Sequence, residues 1–234
     1  MNEPVLRSTV DHLVVLAGTL DEGSRWCEKL LGVVPFSGGQ HPLMGTHNRL
    51  VNISSFAYPD TYLEIIALDP EARSQRAPGL KRWFDMDDPV LHAQVARHGP
   101  QLIHFVARCP DVQPAAQALG ALGLDCGEVL QASRPTPQGL LQWRITVRDD
   151  GQRLLGGALP TLIQWGTQHP AHRLPDLGVA LLGLNLDHPE AATLAPALQA
   201  VGLDPAASPQ TAQATQPSLR ARLMTPRGVV DLHS

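Results

Sequence analysis

The sequence predicts an α+β fold made of two consecutive β-α-β-β-β modules, with a partial third module at the C-terminus. Three observations carry that expectation. A β-type run, a short amphipathic helix and three further strand-like runs occur in the same order twice along the chain. Within each copy the last three runs are joined by short turns, which favours antiparallel pairing in a mixed sheet over the parallel sheet that alternating strands and helices would suggest. Proline (21) and glycine (20) are frequent enough among 234 residues to punctuate many short elements.

The first copy spans residues 1–69. It opens with STVDHLVVLAG, followed by the helical LDEGSRWCEKLLG, which Thr19 or Asp21 can cap and Gly32 can end. The extended VVPFS leads into a glycine-rich loop, GGQHPLMGTHN, and the strands RLVNISSF and TYLEIIAL flank the turn AYPD. Residues 70–99 are polar, proline-bearing and partly helical, and read as a linker packed on the outside. The second copy spans residues 100–172. Its strand QLIHFVARC precedes the helix DVQPAAQALGALG, where Asp111 is a suitable N-cap and Pro114 falls in the tolerant first turn. CGEVLQASR, LLQWRITVR and TLIQWG supply its remaining strands. Residues 173–234 form the partial third module: a strand GVALLGLNLDH, a helix PEAATLAPALQAVG and a closing hairpin LRARLMTPRGVVDLHS. The polar stretch DPAASPQTAQATQPS between helix and hairpin reads as a mobile loop.

Composition narrows the function. A net charge of −4 with scattered basic residues gives no basic face for nucleic acid. No apolar run reaches the roughly 20 residues that span a bilayer, so no membrane partner is expected. The N-terminus lacks a cationic segment followed by an apolar one, which argues against a signal peptide and for a cytoplasmic location. Three widely spaced cysteines without CxxC provide neither a disulfide framework nor a closed zinc site. There is no Gly-x-Ser-x-Gly, GxGxxG or P-loop.

The chemistry lies in polar residues set into apolar strands. Alternation in TYLEIIAL puts Tyr62, Glu64, Ile66 and Leu68 on one face. A carboxylate there must meet water, a cation, a metal or a proton, because burying it unpaired costs several kcal/mol, about as much as a small domain has to spare. His12 poses the same question among Val10, Val14 and Leu16. In the second copy His104 lies between Leu102 and Val106, and Gln164 lies beside Leu162. Each copy thus offers a ligand-type residue on its first strand and another on its last, 52 positions apart for His12 and Glu64 and 60 apart for His104 and Gln164. Two imidazoles and a carboxylate suit a divalent first-row ion with open positions, whereas a lone strand histidine is also a common core residue. Arg49, Arg134 and Arg144 are candidates for an anionic substrate group. Arg144 alternates with Trp143, so one of the two faces any cleft, and Trp143 and Trp165 could wall an apolar pocket. His41 and His47 in the loop could touch substrate or lie at the surface, and His169 and His172 could border the cleft entrance.

The DHLVV start, the GGxHPxxGTxNRL loop with Gly38, Gly39, His41, Pro42, Gly45, Thr46 and Asn48, the YLEII strand and the QWR and LIQWG strands together resemble the glyoxalase-like branch of the vicinal-oxygen-chelate superfamily. The resemblance covers about residues 8–172 and extends more weakly beyond. It implies curved mixed sheets around a cleft shared by the two modules. It also implies a divalent metal (Zn, Mn, Ni or Fe) held by His12, Glu64, His104 and Gln164, with Glu64 also catalytic. His41, Asn48, Arg49, Trp143 and Arg144 would bind a small oxygen-rich substrate. The implied activity is that of a metal-dependent lyase, isomerase or dioxygenase. The alternative is a metal-free protein that binds or sequesters a small molecule on the same fold, and a homodimer is compatible with either. Many superfamily members carry an acidic residue where this chain has Gln164, which leaves one negative protein ligand instead of two.

Overall fold

The computed structural model describes residues 7–137, 139–203 and 209–234. The first module comprises β1 (Thr9–Leu16), α1 (Leu20–Leu31), β2 (Phe36–His41), β3 (Thr46–Asn52) and β4 (Tyr62–Leu68). α1 starts where the Thr19 hydroxyl accepts the Glu22 N–H, and stops at Gly32, whose φ of 79° is the left-handed conformation of a C-terminal cap. After α2 (Pro89–His98), the second module comprises β5 (Gln101–Arg108), α3 (Val112–Ala121), β6 (Glu128–Thr136), β7 (Gly139–Val147) and β8 (Thr161–Trp165).

The modules join in one eight-stranded sheet of order β2-β3-β4-β1-β5-β8-β7-β6. β1 and β5 pair antiparallel at its centre, while β1 with β4 and β5 with β8 are parallel, so each half repeats the same order outward. The register makes this an internal two-fold. His12 pairs with Val106 and Val14 with His104, so the relation exchanges His12 with His104 and Val14 with Val106. Each central strand also carries a bulge just before its histidine, with Asp11 as the extra residue in β1 and Ile103 in β5.

The sheet's two faces hold separate cores. On the outer face Leu13, Val15, Leu63, Ile65, Phe105 and Leu162 pack under α1, α3 and the C-terminal unit. That unit comprises β9 (Ala180–His188), α4 (Ala191–Ala200), β10 (Gln210–Gln213), β11 (Ser218–Thr225) and β12 (Gly228–His233), in a sheet of order β10-β9-β11-β12. The stretch expected to be a mobile loop therefore contributes a strand, β10, parallel to β9; residues 204–208 lie outside the described residues. Among the described residues no helix is long and apolar enough to cross a membrane.

The segment between the modules departs from the expected outer linker. Trp83, Phe84, Met86, Leu91 and Val95 are buried with Val14, Ile66, Val106 and Ile145 on the sheet's inner face. The physical reason is that the curved sheet leaves apolar side chains there with no helix of either module to cover them. Phe84 and Asp85 adopt left-handed φ values of 58° and 57° to turn the chain inward. The Asp85 carboxylate is held by Arg153 Nε at 2.7 Å. Truncating Phe84 to alanine removes the centre of this plug and is expected to lower the unfolding free energy by about 3–5 kcal/mol in urea titrations, with Phe84→Leu costing clearly less.

Candidate acid–base site

Glu64 and His12 meet on the sheet's inner face because Val14 pairs with Glu64 in the parallel β1–β4 ladder. Both are almost fully buried, at 5 % and 4 % exposure. Glu64 Oε2 lies 3.5 Å from His12 Nε2. The other oxygen, Oε1, accepts a 2.5 Å hydrogen bond from the Asn48 side-chain amide. Asn48 is fixed in turn: its oxygen accepts the Gly39 N–H at 2.8 Å, and its nitrogen also faces His41 Nε2 at 3.4 Å. His41 Nδ1 donates to the Thr46 hydroxyl, and burial together with the nearby Arg134 charge lowers its pKa to about 3, so the ring is neutral.

His12 is oriented from behind. Its Nδ1 donates to Asp11 Oδ1 at 2.6 Å, and its ring stacks on Tyr62 with centroids 4.6 Å apart. Asp11 is completely buried and also accepts from Trp165 Nε1 (3.0 Å) and His169 Nε2 (2.9 Å). His169 Nδ1 accepts the Ala171 N–H, which fixes the ring hydrogen on Nε2. Burial by itself would raise the Asp11 carboxyl, but hydrogen bonds from His12 and His169 outweigh it and hold the group far below the ordinary carboxylate range. Burial, with the carboxylates of Asp11 and Glu64 adding to it, pushes the Tyr62 phenol well up, so it stays protonated. The result is a line of contacts, Asn48–Glu64–His12–Asp11–His169, in which His12 Nε2 and Glu64 Oε2 are the edges turned to the pocket.

The second module does not mirror this pair. Glu64 sits opposite Val14, and the residue opposite its counterpart Val106 is Thr161, not Gln164. Gln164 is three positions further on, an odd step that turns it to the outer face. There its oxygen accepts from the Val112 N–H and from Arg144, both at 3.1 Å. His104 occupies the position symmetric to His12, but both ring nitrogens are committed. Nδ1 donates to the Gly157 carbonyl at 3.0 Å, and Nε2 accepts the Thr161 N–H at 3.1 Å with the Thr161 hydroxyl at 3.0 Å. Burial, reinforced by Arg153, lowers its pKa to about 3. Phe84 from the interior plug lies against it, with centroids 5.2 Å apart. The donor set therefore does not fit the expected four-ligand metal centre, and among the described residues no group of three or more histidine, cysteine or acidic side chains is arranged to hold a metal ion.

The remaining expected residues divide by strand parity. Trp143 faces the pocket and Arg144 the outer side, where it approaches Asp111 at 3.5 Å. Arg49 likewise points away from the pocket and donates to the Ser37 hydroxyl. His41 and Asn48 line the pocket together with Tyr62, Trp83, Arg134 and Trp165. Arg134 is the cation that reaches it. Asp11 lay within reach of sequence reasoning, being an acid in an apolar strand run just as Glu64 is, but strict alternation assigned it to the other face. The bulge reverses that assignment.

A stability prediction follows from the two neutral histidines. Their folded pKa values lie near 3 against about 6.5 when unfolded. Between those limits the unfolded chain binds the extra protons. Stability is therefore complete above pH 6.5 and falls with decreasing pH, by about 1.4 kcal/mol per pH unit for each histidine. In urea unfolding between pH 6 and 4.5, His104→Gln should flatten the slope by that amount; equal slopes would mean that the folded protein holds His104 protonated.

Comparison with known proteins adds the following. A family model described as a glyoxalase-like domain matches residues 10–202. No curated protein matches the chain in a sequence comparison. A hypothetical protein from Staphylococcus aureus has a similar fold, with a TM-score of 0.59 at 13% identity over 97% of this chain and 85% of that one. Methylmalonyl-CoA epimerases from Streptomyces coelicolor (TM-score 0.40, 16% identity, 68% and 97% of the two chains) and Mycobacterium tuberculosis (0.38, 15%, 70% and 91%) also align.

Proposed function

The chain belongs to the glyoxalase-like domain family, and on that premise we propose that it moves a proton on a small organic substrate at the Glu64–His12 pair, in chemistry of the isomerase or lyase kind. The observation that carries this reading is the buried Glu64 carboxyl, anchored through one oxygen by Asn48 and presenting the other to His12 and the pocket. Such a group is costly to bury and is matched to proton transfer when it is desolvated and fixed.

In the proposed step a C–H proton beside a carbonyl passes to Glu64 Oε2, and the electron pair of that bond moves into the carbonyl. Returning the proton to the other face, or expelling a leaving group, completes an isomerisation or an elimination. His12 can hold or return a proton at Nε2 because Asp11 keeps its hydrogen on Nδ1 and places a negative charge behind the ring. No step is routed through a metal, since His104 and Gln164 are bonded elsewhere. The iron-dependent dioxygenase reading needs two histidines and a carboxylate free to ligate, whereas Glu64 meets one histidine and Asp11, which meets two, is held by hydrogen bonds from both rings and from Trp165. A metal-free binding protein is the second reading, and the tryptophans around the pocket favour it.

The two readings separate in deuterium oxide. The protein is incubated with small 2-oxo acids, 2-hydroxy acids and acyl thioesters, and loss of C–H signal is followed by proton NMR. Exchange of at least one carbon acid is expected, slowed at least about 100-fold by Glu64→Gln with the melting temperature preserved. A compound that binds but exchanges no proton, or exchange indifferent to Glu64→Gln, would leave only the binding role.

A further inference from the structure

We infer that the site is built for an organic monoanion with an apolar, ring-sized body, its carboxylate on Arg134 and its body between Trp83 and Trp143. The inference takes its location from the proposed site but concerns binding, so it stands or fails independently of proton transfer.

Arg134 projects from β6, one edge of the eight-stranded sheet, across the mouth of the pocket to Gly39 on β2, the opposite edge. A Cβ at Gly39 would lie 1.5 Å from Arg134 Nη1, so any side chain there would push the guanidinium out of its present position. The half-buried guanidinium feels Tyr62 and Glu64, yet among the described residues no hydrogen bond or ion pair holds it. A planar fork of N–H donors without a partner is matched to a carboxylate, which it can bind through two parallel bonds. The adjacent cation, Arg173, is already turned to the Thr136 hydroxyl at 2.8 Å. One free guanidinium near the Glu64 carboxyl suits a single negative charge better than a phosphate dianion.

Size assigns the rest of the molecule. The inner chamber around Glu64, Tyr62 and Arg134 is the tighter of two adjoining spaces, about 30 Å³, enough for a carboxylate-sized head. Beyond His41, Trp83, Trp143 and Ile145, which border both spaces, lies a second hollow of about 220 Å³ walled by Met44 and Ala132 and edged by Gln131. Its apolar lining would take the body, with the acid group pointing inward.

Isothermal titration calorimetry at pH 7.5 tests this with benzoate, phenylacetate and 3-phenylpropanoate against benzamide, acetate and inorganic phosphate. At least one aryl carboxylate is expected to bind at least 10-fold more tightly than any of the last three. Arg134→Met and, separately, Gly39→Ala should each weaken it at least 10-fold with the melting temperature preserved. The two variants perturb different strands, so a folding defect in one leaves the other informative. Glu64→Gln should retain the binding or tighten it, which distinguishes loss of ligand recognition from loss of chemistry. Equal binding of benzamide, tighter binding of phosphate, no binding of any aryl carboxylate, or affinity unchanged in both Arg134→Met and Gly39→Ala would overturn the inference.

Discussion

The antiparallel pairing of β1 with β5 is the constraint on which the rest of the molecule depends. Its register, His12 against Val106 and Val14 against His104, places two histidines on one face of a continuous sheet. The same register fixes, through β4 and β8, which residues stand beside each of them. A slip of β1 by one residue would send His12 to the outer core among Leu13, Val15 and Phe105, away from Glu64 and the pocket. The paired bulges at Asp11 and Ile103 belong to this constraint, since each lies one residue before a histidine. In the first module the bulge brings a carboxylate to the ring. In the second it delivers an apolar side chain to the inner core, and a backbone carbonyl serves the ring instead.

From that shared frame the two halves have taken opposite solutions to the same cost. A buried imidazole needs a partner at each nitrogen. The second module satisfies His104 completely with Gly157 and Thr161, and covers it with Phe84; its neighbours at the positions of Asn48 and Glu64 are Ile145 and Thr161. That half is a packed core. In the first module Nε2 of His12 and Oε2 of Glu64 face each other at 3.5 Å in the lining of the pocket, a looser contact than either nitrogen of His104 makes. This asymmetry inside a symmetric frame is the feature on which the proposed function rests.

Much of this was legible in the sequence, and what was not has physical causes. The module order, the helix caps at Thr19 and Asp111 and the shared face of Val14 and Leu16 with His12, and of Val106 with His104, follow from local alternation and capping. Val10 and Leu102 instead fall in the outer core, because the bulges at Asp11 and Ile103 break the alternation just before each histidine. Gln164 was misplaced because counting positions from His104 spans α3, two strands and the 3₁₀ turn at Leu154–Gly157, and any odd change in those connections flips the face. The interior plug was missed because the polar composition of residues 70–99 conceals a few apolar residues, Trp83, Phe84 and Met86, that bury together. The tie between β2 and β6 through Gly39 and Arg134 is a contact between strands far apart in sequence, and no local pattern encodes it.

The glycine pair in the family loop illustrates how such a contact is nevertheless written into the chain. A Cβ at Gly38 would lie 1.9 Å from the Asn48 side-chain oxygen, and one at Gly39 would overlap Arg134. Neither glycine has a positive φ, so turn geometry does not require them. Instead, each lets a polar side chain approach the backbone closely: Asn48 from the same module at Gly38, where its own backbone oxygen would also clash, and Arg134 from the other module at Gly39, where a side chain would displace the guanidinium. Asn48 holds Glu64, and Arg134 faces Glu64 from across the cleft. The loop thus sets both the orientation of the buried acid and the position of the cation opposite it, which is a role for the glycines in the site itself and not only in the fold that carries it.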